Sequence, residues 1–114
     1  MFIFGSDEEI ARALCESVAH ITPGLIDKPI DEMTVEEMKR CLVIFRLAAR
    51  EAREVGSSEK SMYILLDWHD EVLRALVEVD ERLRKRLLSG RYQSPRQRTE
   101  ANRLRYKKIA EEGA

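Results

Sequence analysis

The sequence predicts an all-α protein: a three-helix bundle with a long third helix and a basic C-terminal helical arm. Charged residues form 36% of the chain and aromatic residues only 6%, a balance that suits ion-paired helix surfaces and not a sheet, which favours β-branched and aromatic side chains. Apolar residues recur at three- and four-residue intervals over most of the length, the period of one helix face. Helix-start signals stand ahead of these runs, the clearest at Thr34 and Glu37. With 114 residues there is room for one modest core, and the chain divides into a bundle over 1–90 and an arm over 91–114.

The first helix is expected over about 6–21. Ser6 and Glu9 form a capping box, in which each side chain satisfies the other's free backbone N–H. Ile10, Ala11, Leu14, Cys15, Val18 and Ile21 then line one face, and Thr22-Pro23-Gly24 ends the run. Pro23, Gly24 and Pro29 disfavour helix over 22–33, while Leu25, Ile26 and Ile30 are apolar enough to pin this connection to the core. It reads as a packed loop. His20 falls near the first helix's C-terminus, where it serves as a dipole partner.

The second helix is placed at 34–55. Thr34 and Glu37 cap it, and Met33 and Met38 occupy the staple positions around the cap. Cys41-Leu42-Val43-Ile44-Phe45 is apolar on every side, which requires cover from more than one direction. Ala48, Ala49 and Ala52 allow close approach of a neighbour. Gly56-Ser57-Ser58 makes a short break, which produces antiparallel neighbours.

The third helix is expected as one rod over about 58–89, roughly 45 Å long at 1.5 Å per residue. Met62, Leu66, His69, Leu73, Leu76, Asp80, Leu83 and Leu87 recur with four-three spacing, and Leu65, Val72 and Val79 widen the stripe. Ser89-Gly90 stops it; Ser94-Pro95 restarts the chain as a weaker helix over about 95–111. The expected core is Ile10, Leu14, Val18, Met38, Leu42, Phe45, Ala49, Leu66, Leu73 and Leu76.

The net charge of −1 conceals a steep division. Residues 1–81 carry 9 Lys or Arg against 18 Asp or Glu, whereas residues 82–108 carry 11 against Glu100 alone. A block this dense repels itself unless something negative lies against it. The binding residues it offers are Arg84, Lys85, Arg86, Arg91, Arg96, Arg98, Arg103, Arg105, Lys107 and Lys108. Arg82 and Arg84 to Arg86 serve alternatively to complement the third helix's C-terminal dipole. The arm therefore implies an acidic partner: a nucleic-acid backbone, an acidic protein surface, or the acidic body of a second copy in a homo-oligomer. Tyr92 and Tyr106 stand among the arginines as stacking or packing residues. No helix-turn-helix, zinc-finger or RNA-binding aromatic pattern accompanies them.

Chemistry is thinly supported. His69 lies within a turn of Asp67, Asp70 and Glu71, a setting that can raise an imidazole pKa; its place on the apolar seam favours a structural histidine with one hydrogen bond. Cys15 and Cys41 fall in apolar stripes, reading as buried thiols in a reducing compartment, with a disulfide as the alternative. No catalytic residue, metal or cofactor is expected from glycine-rich loops, nucleophile elbows or zinc spacing.

One arrangement of carboxylates suggests an enzyme instead. Glu51 and Glu54 stand at i,i+3 near the end of the second helix, as do Asp67 and Asp70 near the start of the third. If they converged across a hairpin, they would suit Mg²⁺ held with substrate phosphates. Over about twenty residues this spacing resembles that of the all-α nucleoside triphosphate pyrophosphohydrolases, whose paired acidic motifs lie on two adjacent helices. The resemblance implies a Mg-dependent nucleotide hydrolase acting through Glu51, Glu54, Asp67 and Asp70. The chain departs from that family in having Arg50 where another acidic residue is usual, and in lacking its lysine- and asparagine-bearing tail motif.

The favoured expectation is a non-enzymatic helical assembly or adaptor protein, with viral structural or genome-packaging proteins as one setting. Met1-Phe2-Ile3-Phe4 is too short for a signal core and no stretch is apolar enough for a membrane span. The expected location is cytoplasmic or virion-associated, without secretion or membrane contact.

Overall fold

Capping chemistry, apolar period and glycine stops together set the helices seen in the computed structural model, which describes residues 6–18 and 24–113. Helix α1 spans Asp7–Val18. The Glu9 N–H donates to Ser6 Oγ at 3.3 Å, and Asp7, Glu8 and Glu9 crowd the positive end of the helix dipole. Its expected continuation to Ile21, with His20, lies outside the described residues. Two 3₁₀ turns, Leu25–Asp27 and Ile30–Glu32, shape the connection that follows. Leu25 is buried, and Ile26 and Ile30 pack on the core, so this loop is tied down by side chains as its composition implies.

Helix α2, Val35–Glu54, begins with the full Thr34–Glu37 capping box. Lys28 Nζ donates to both carboxylate oxygens of Glu37 at 2.9 Å, fastening the loop to that first turn. The Thr34 backbone N–H, then Lys28, hold the Glu37 carboxyl below its ordinary range. Helix α2 ends in a Schellman stop: Gly56 takes φ +70° and the Ser57 N–H reaches back to Ala52 O at 2.8 Å.

The expected long third helix is interrupted. Helix α3 covers Glu59–Val79 and helix α4 covers Glu81–Leu88, with Asp80 between them at φ −114°, ψ 97°. Asp80 ends α3 and caps α4 at once, its carboxylate accepting from the Leu83 N–H at 3.0 Å. Aspartate competes for backbone donors and so favours caps over helix interiors. Arg84 stabilises the break from the other side, donating through its guanidinium to Val77 O and Glu78 O, carbonyls that the last turn leaves free. Lys39 of α2 stands 3.6 Å from the Asp80 carboxylate. Helix α4 closes at Gly90, φ +76°, with the Arg91 N–H on Arg86 O. Ser94 then caps helix α5, Pro95–Glu112, in a second full capping box with Gln97 and with proline in the first turn.

Helices α2 and α3 form the main packed pair, and α1 lies against both. Alanines 48, 49 and 52 are fully or almost fully buried and permit the close approach. Leu65, Leu66, Val72, Leu73 and Leu76 supply the facing side of α3, and Phe45 meets Trp68 with ring centroids 5.9 Å apart. Helix α1 contributes Ala11 and Cys15 to the buried centre; the expected core residues Leu14 and Val18 pack at its margin, and Ile10 is only half-buried. The stripe is thus rotated towards its small residues, because small side chains let α1 sit closer to the α2–α3 pair. Val43, expected under cover from several sides, faces solvent at 58% exposure. The two cysteines are free and buried, and burial pushes the Cys15 thiol up to about 12 and the Cys41 thiol up to about 11. The assembly measures 51 × 47 × 19 Å, a slab in outline. No helix among the described residues is long and apolar enough to cross a membrane.

Candidate polyanion interface

The root of the arm is fastened to α3 by its own charge. Glu59, Tyr63, Asp67 and Asp70 stand at four-four-three spacing and share one face of α3. Arg96, in the first turn of α5, donates from Nε to Asp70 Oδ2 at 2.7 Å and from its terminal nitrogen to Asp67. Seven residues on, Arg103 pairs with Glu59. Both guanidinium groups lie over the Tyr63 ring, at 5.7 and 5.4 Å from its centroid. Arg53 of α2 reaches Thr99 from the other side. No residue of α5 is buried, so polar contacts and not a core hold this helix in place.

Tyr92, in the connection between α4 and α5, ties three elements together. Its hydroxyl oxygen accepts from Arg46 Nη2 at 2.9 Å and lies 3.3 Å from His69 Nε2. With Arg46 donating to that oxygen, the tyrosine proton is directed at Nε2, which makes the ring a neutral acceptor there. His69 is fully buried, and its Nδ1 has no hydrogen-bond partner. Burial first, and then the positive charge of Arg46, drive its pKa down to about 4, against the opposing pull of Asp70. Nearby carboxylates implied the opposite sign; desolvation outweighs them, since Asp70 keeps Oδ1 3.9 Å from Nδ1 while its Oδ2 accepts from Arg96.

The four carboxylates that suggested a metal-dependent enzyme are not gathered together. Asp67 and Asp70 are taken up by Arg96, and Glu54 pairs with Arg50 one turn away on its own helix. Among the described residues no three His, Cys, Asp or Glu side chains are grouped so as to hold one metal ion.

The candidate binding cations divide by what they already touch. Arg96 and Arg103 are used in docking α5, Arg84 in capping α3, and Lys85 in an i,i+4 pair with Glu81. Arg82, Arg86, Arg91, Arg98, Arg105, Lys107 and Lys108 are exposed, and none pairs with a carboxylate of the described residues. The distal turns of α5 carry the last three of these beside exposed Leu104, Tyr106 and Ile109.

A second group of cations was hidden by counting charge in blocks. Lys39, Arg46, Arg50 and Arg53 follow one another at seven-four-three spacing along α2, so they form a single stripe. Exposed Val43 and Leu47 lie within it. Two adjoining clefts, about 430 and 350 Å³, run between this stripe and the α4–α5 segment and share Arg46. Arg82 and Arg86 stand on the opposite wall of one, and Arg98 on that of the other. The local spacing of α2 was the available signal; the excess of acids elsewhere in residues 1–81 masked it.

Fold and surface together define a small all-helical protein with a cationic flank. Comparison with known proteins finds no matching family model, no similar curated protein and no similar solved structure.

Proposed function

We propose that this protein is a non-enzymatic helical assembly or adaptor module, in which α1, α2 and α3 serve as a three-helix bundle and the C-terminal arm docks on a polyanionic partner. One observation carries the reading: after α5 has been anchored through Arg96 and Arg103, the remaining arm cations are solvent-exposed without a carboxylate from the described residues. Uncompensated like charges on one short segment raise its free energy, and a dense anion relieves that repulsion. A nucleic-acid backbone meets the requirement without base recognition. The acidic surface of a second copy meets it too, which makes head-to-tail self-association part of the same reading.

The test uses the full chain. An electrophoretic shift with a duplex should show binding that weakens steeply with salt, and Arg105→Gln/Lys107→Gln/Lys108→Gln should reduce the slope of log K against log salt by about 2.7. If the partner is protein, the same triple variant should instead lower the mass seen by light scattering. A triple variant indistinguishable from the parent in both measurements removes the proposal.

A further inference from the structure

The arm is not the only cationic element, and the paired clefts beside α2 have a chemistry of their own. We propose that the groove between α2 and the α4–α5 segment is a binding site for the phosphodiester backbone of a single nucleic-acid strand, with Arg46, Arg50 and Arg53 on one wall and Arg82, Arg86 and Arg98 on the other. The site deepens the polyanion reading, on which it rests, and names the partner that reading leaves open.

Length, charge and floor point the same way. From Lys39 to Arg53 the stripe runs fourteen residues, or about 21 Å along the helix axis. At the stacked spacing of about 3.4 Å per phosphate, that length matches roughly six phosphates, and fewer when the strand is extended. Carboxylates close to the groove are already engaged, Asp80 by the Leu83 N–H and Lys39 and Glu54 by Arg50, which leaves Arg46, Arg53, Arg82, Arg86 and Arg98 without a carboxylate among the described residues. An incoming anion therefore meets little repulsion. Arginine predominates over lysine, and its planar fork takes two oxygens of one phosphate at once. The floor is apolar between the charges, with Val43 58% and Leu47 43% exposed and the half-buried Tyr92 ring behind Arg46. Such surfaces accept ribose and base faces of an unpaired strand. An acidic peptide of Asp and Glu has no base or sugar ring to lay on that floor.

Helix geometry also makes the groove a composite. One wall belongs to the bundle, the other to the α4–α5 segment, whose helix α5 is held by the Arg96 and Arg103 ion pairs and the Arg53–Thr99 contact. A strand seated between them would bridge the two and stabilise the docked arrangement of α5, since whatever binds only that arrangement favours it.

Fluorescence anisotropy with a labelled oligothymidylate of about sixteen nucleotides, the upper end of single-strand site sizes, tests the assignment on the full chain. Arg50→Gln/Arg53→Gln removes two cations from one wall; Arg86→Gln/Arg98→Gln removes two from the other. Each pair should lower affinity by roughly 25-fold at 0.1 M salt and flatten the salt slope by about 1.4, because each single-strand contact contributes about 0.7 to that slope. All of these side chains are exposed on helices, and an unchanged melting curve confirms that the variants fold. Arg40→Gln/Arg74→Gln, which removes two exposed cations outside the groove, should change affinity less than about twofold. Equal losses in groove and control variants overturn the site, as does displacement of the strand by polyglutamate of equal charge at equal concentration. If the groove variants bind normally while Arg105→Gln/Lys107→Gln/Lys108→Gln does not, the groove is wrong and the arm reading stands. If the groove pairs lose binding and the arm triple does not, the groove stands and the arm takes no part in strand binding. Absence of any strand binding by the parent protein overturns the groove, and the arm reading is then decided by its own duplex and light-scattering measurements.

Discussion

Acidification should weaken this fold through His69 before the carboxylates matter. The ring is fully buried, with its pKa driven down to about 4 from an ordinary 6.5. Burial is the first cause, Arg46 across from α2 the second, and Asp70 opposes them. In the unfolded chain the ring takes up a proton near pH 6.5; in the folded chain it stays neutral until about pH 4. The unfolded state thus binds one more proton throughout this window, and stability falls as pH falls. Above pH 6.5 the contribution is complete and flat. Within the window each pH unit costs about 1.4 kcal/mol, so the whole span amounts to roughly 3 kcal/mol. Urea denaturation at pH 7.0, 6.0 and 5.0 should show this loss in the parent protein. His69→Gln retains every carboxylate but has no imidazole to charge, so its stability, whatever its absolute value, should vary much less over the same interval. Equal pH slopes for the two proteins would refute the reasoning, as would an NMR titration placing the native His69 midpoint at 6 or above.

Other consequences are accessible to simpler measurements. Leu66→Ala, at a site only 1% exposed, should cost about 2–5 kcal/mol in chemical denaturation, whereas Val43→Ala on the open face should cost little; comparable losses would contradict the packing described. Asp80→Ala should lower the melting temperature and Asp80→Asn much less, because asparagine also caps a helix, so equal effects would show that the cap is not what Asp80 provides. Cys15 and Cys41, with thiols raised to about 12 and about 11, should resist a thiol reagent at pH 8 in the folded protein and react at once in denaturant. Arg96→Gln should speed amide exchange across α5 while leaving that of α2 and α3 in place; unchanged α5 protection would assign its anchoring to other contacts.

Helix beginnings were legible because their signals are local: Ser6, Thr34 and Ser94 each bond a backbone N–H three residues on. The break at Asp80 was not, since Asp80 keeps the four-three spacing and Leu83 on its far side is still buried. An apolar seam reports which face is covered, not whether the backbone along it is continuous. What decides the break is the cap together with Arg84 and Lys39, the last of these from another helix. The same reason accounts for His69. Its neighbours in sequence are acidic, while the group that binds it, Tyr92, and the charge that depresses it, Arg46, lie 23 residues away in either direction. The basic arm was visible as a block; its division into anchoring and free cations needed the positions of Asp67, Asp70 and Glu59.

A body 19 Å deep is scarcely two helices thick, given helix diameters of about 10–12 Å with side chains. Helices α1 to α4 are then each an interior wall and an outside surface at once, and no residue described is more than a side chain or so from water. Such a tile has two broad faces, and little more than one layer of leucine and alanine side chains separates them.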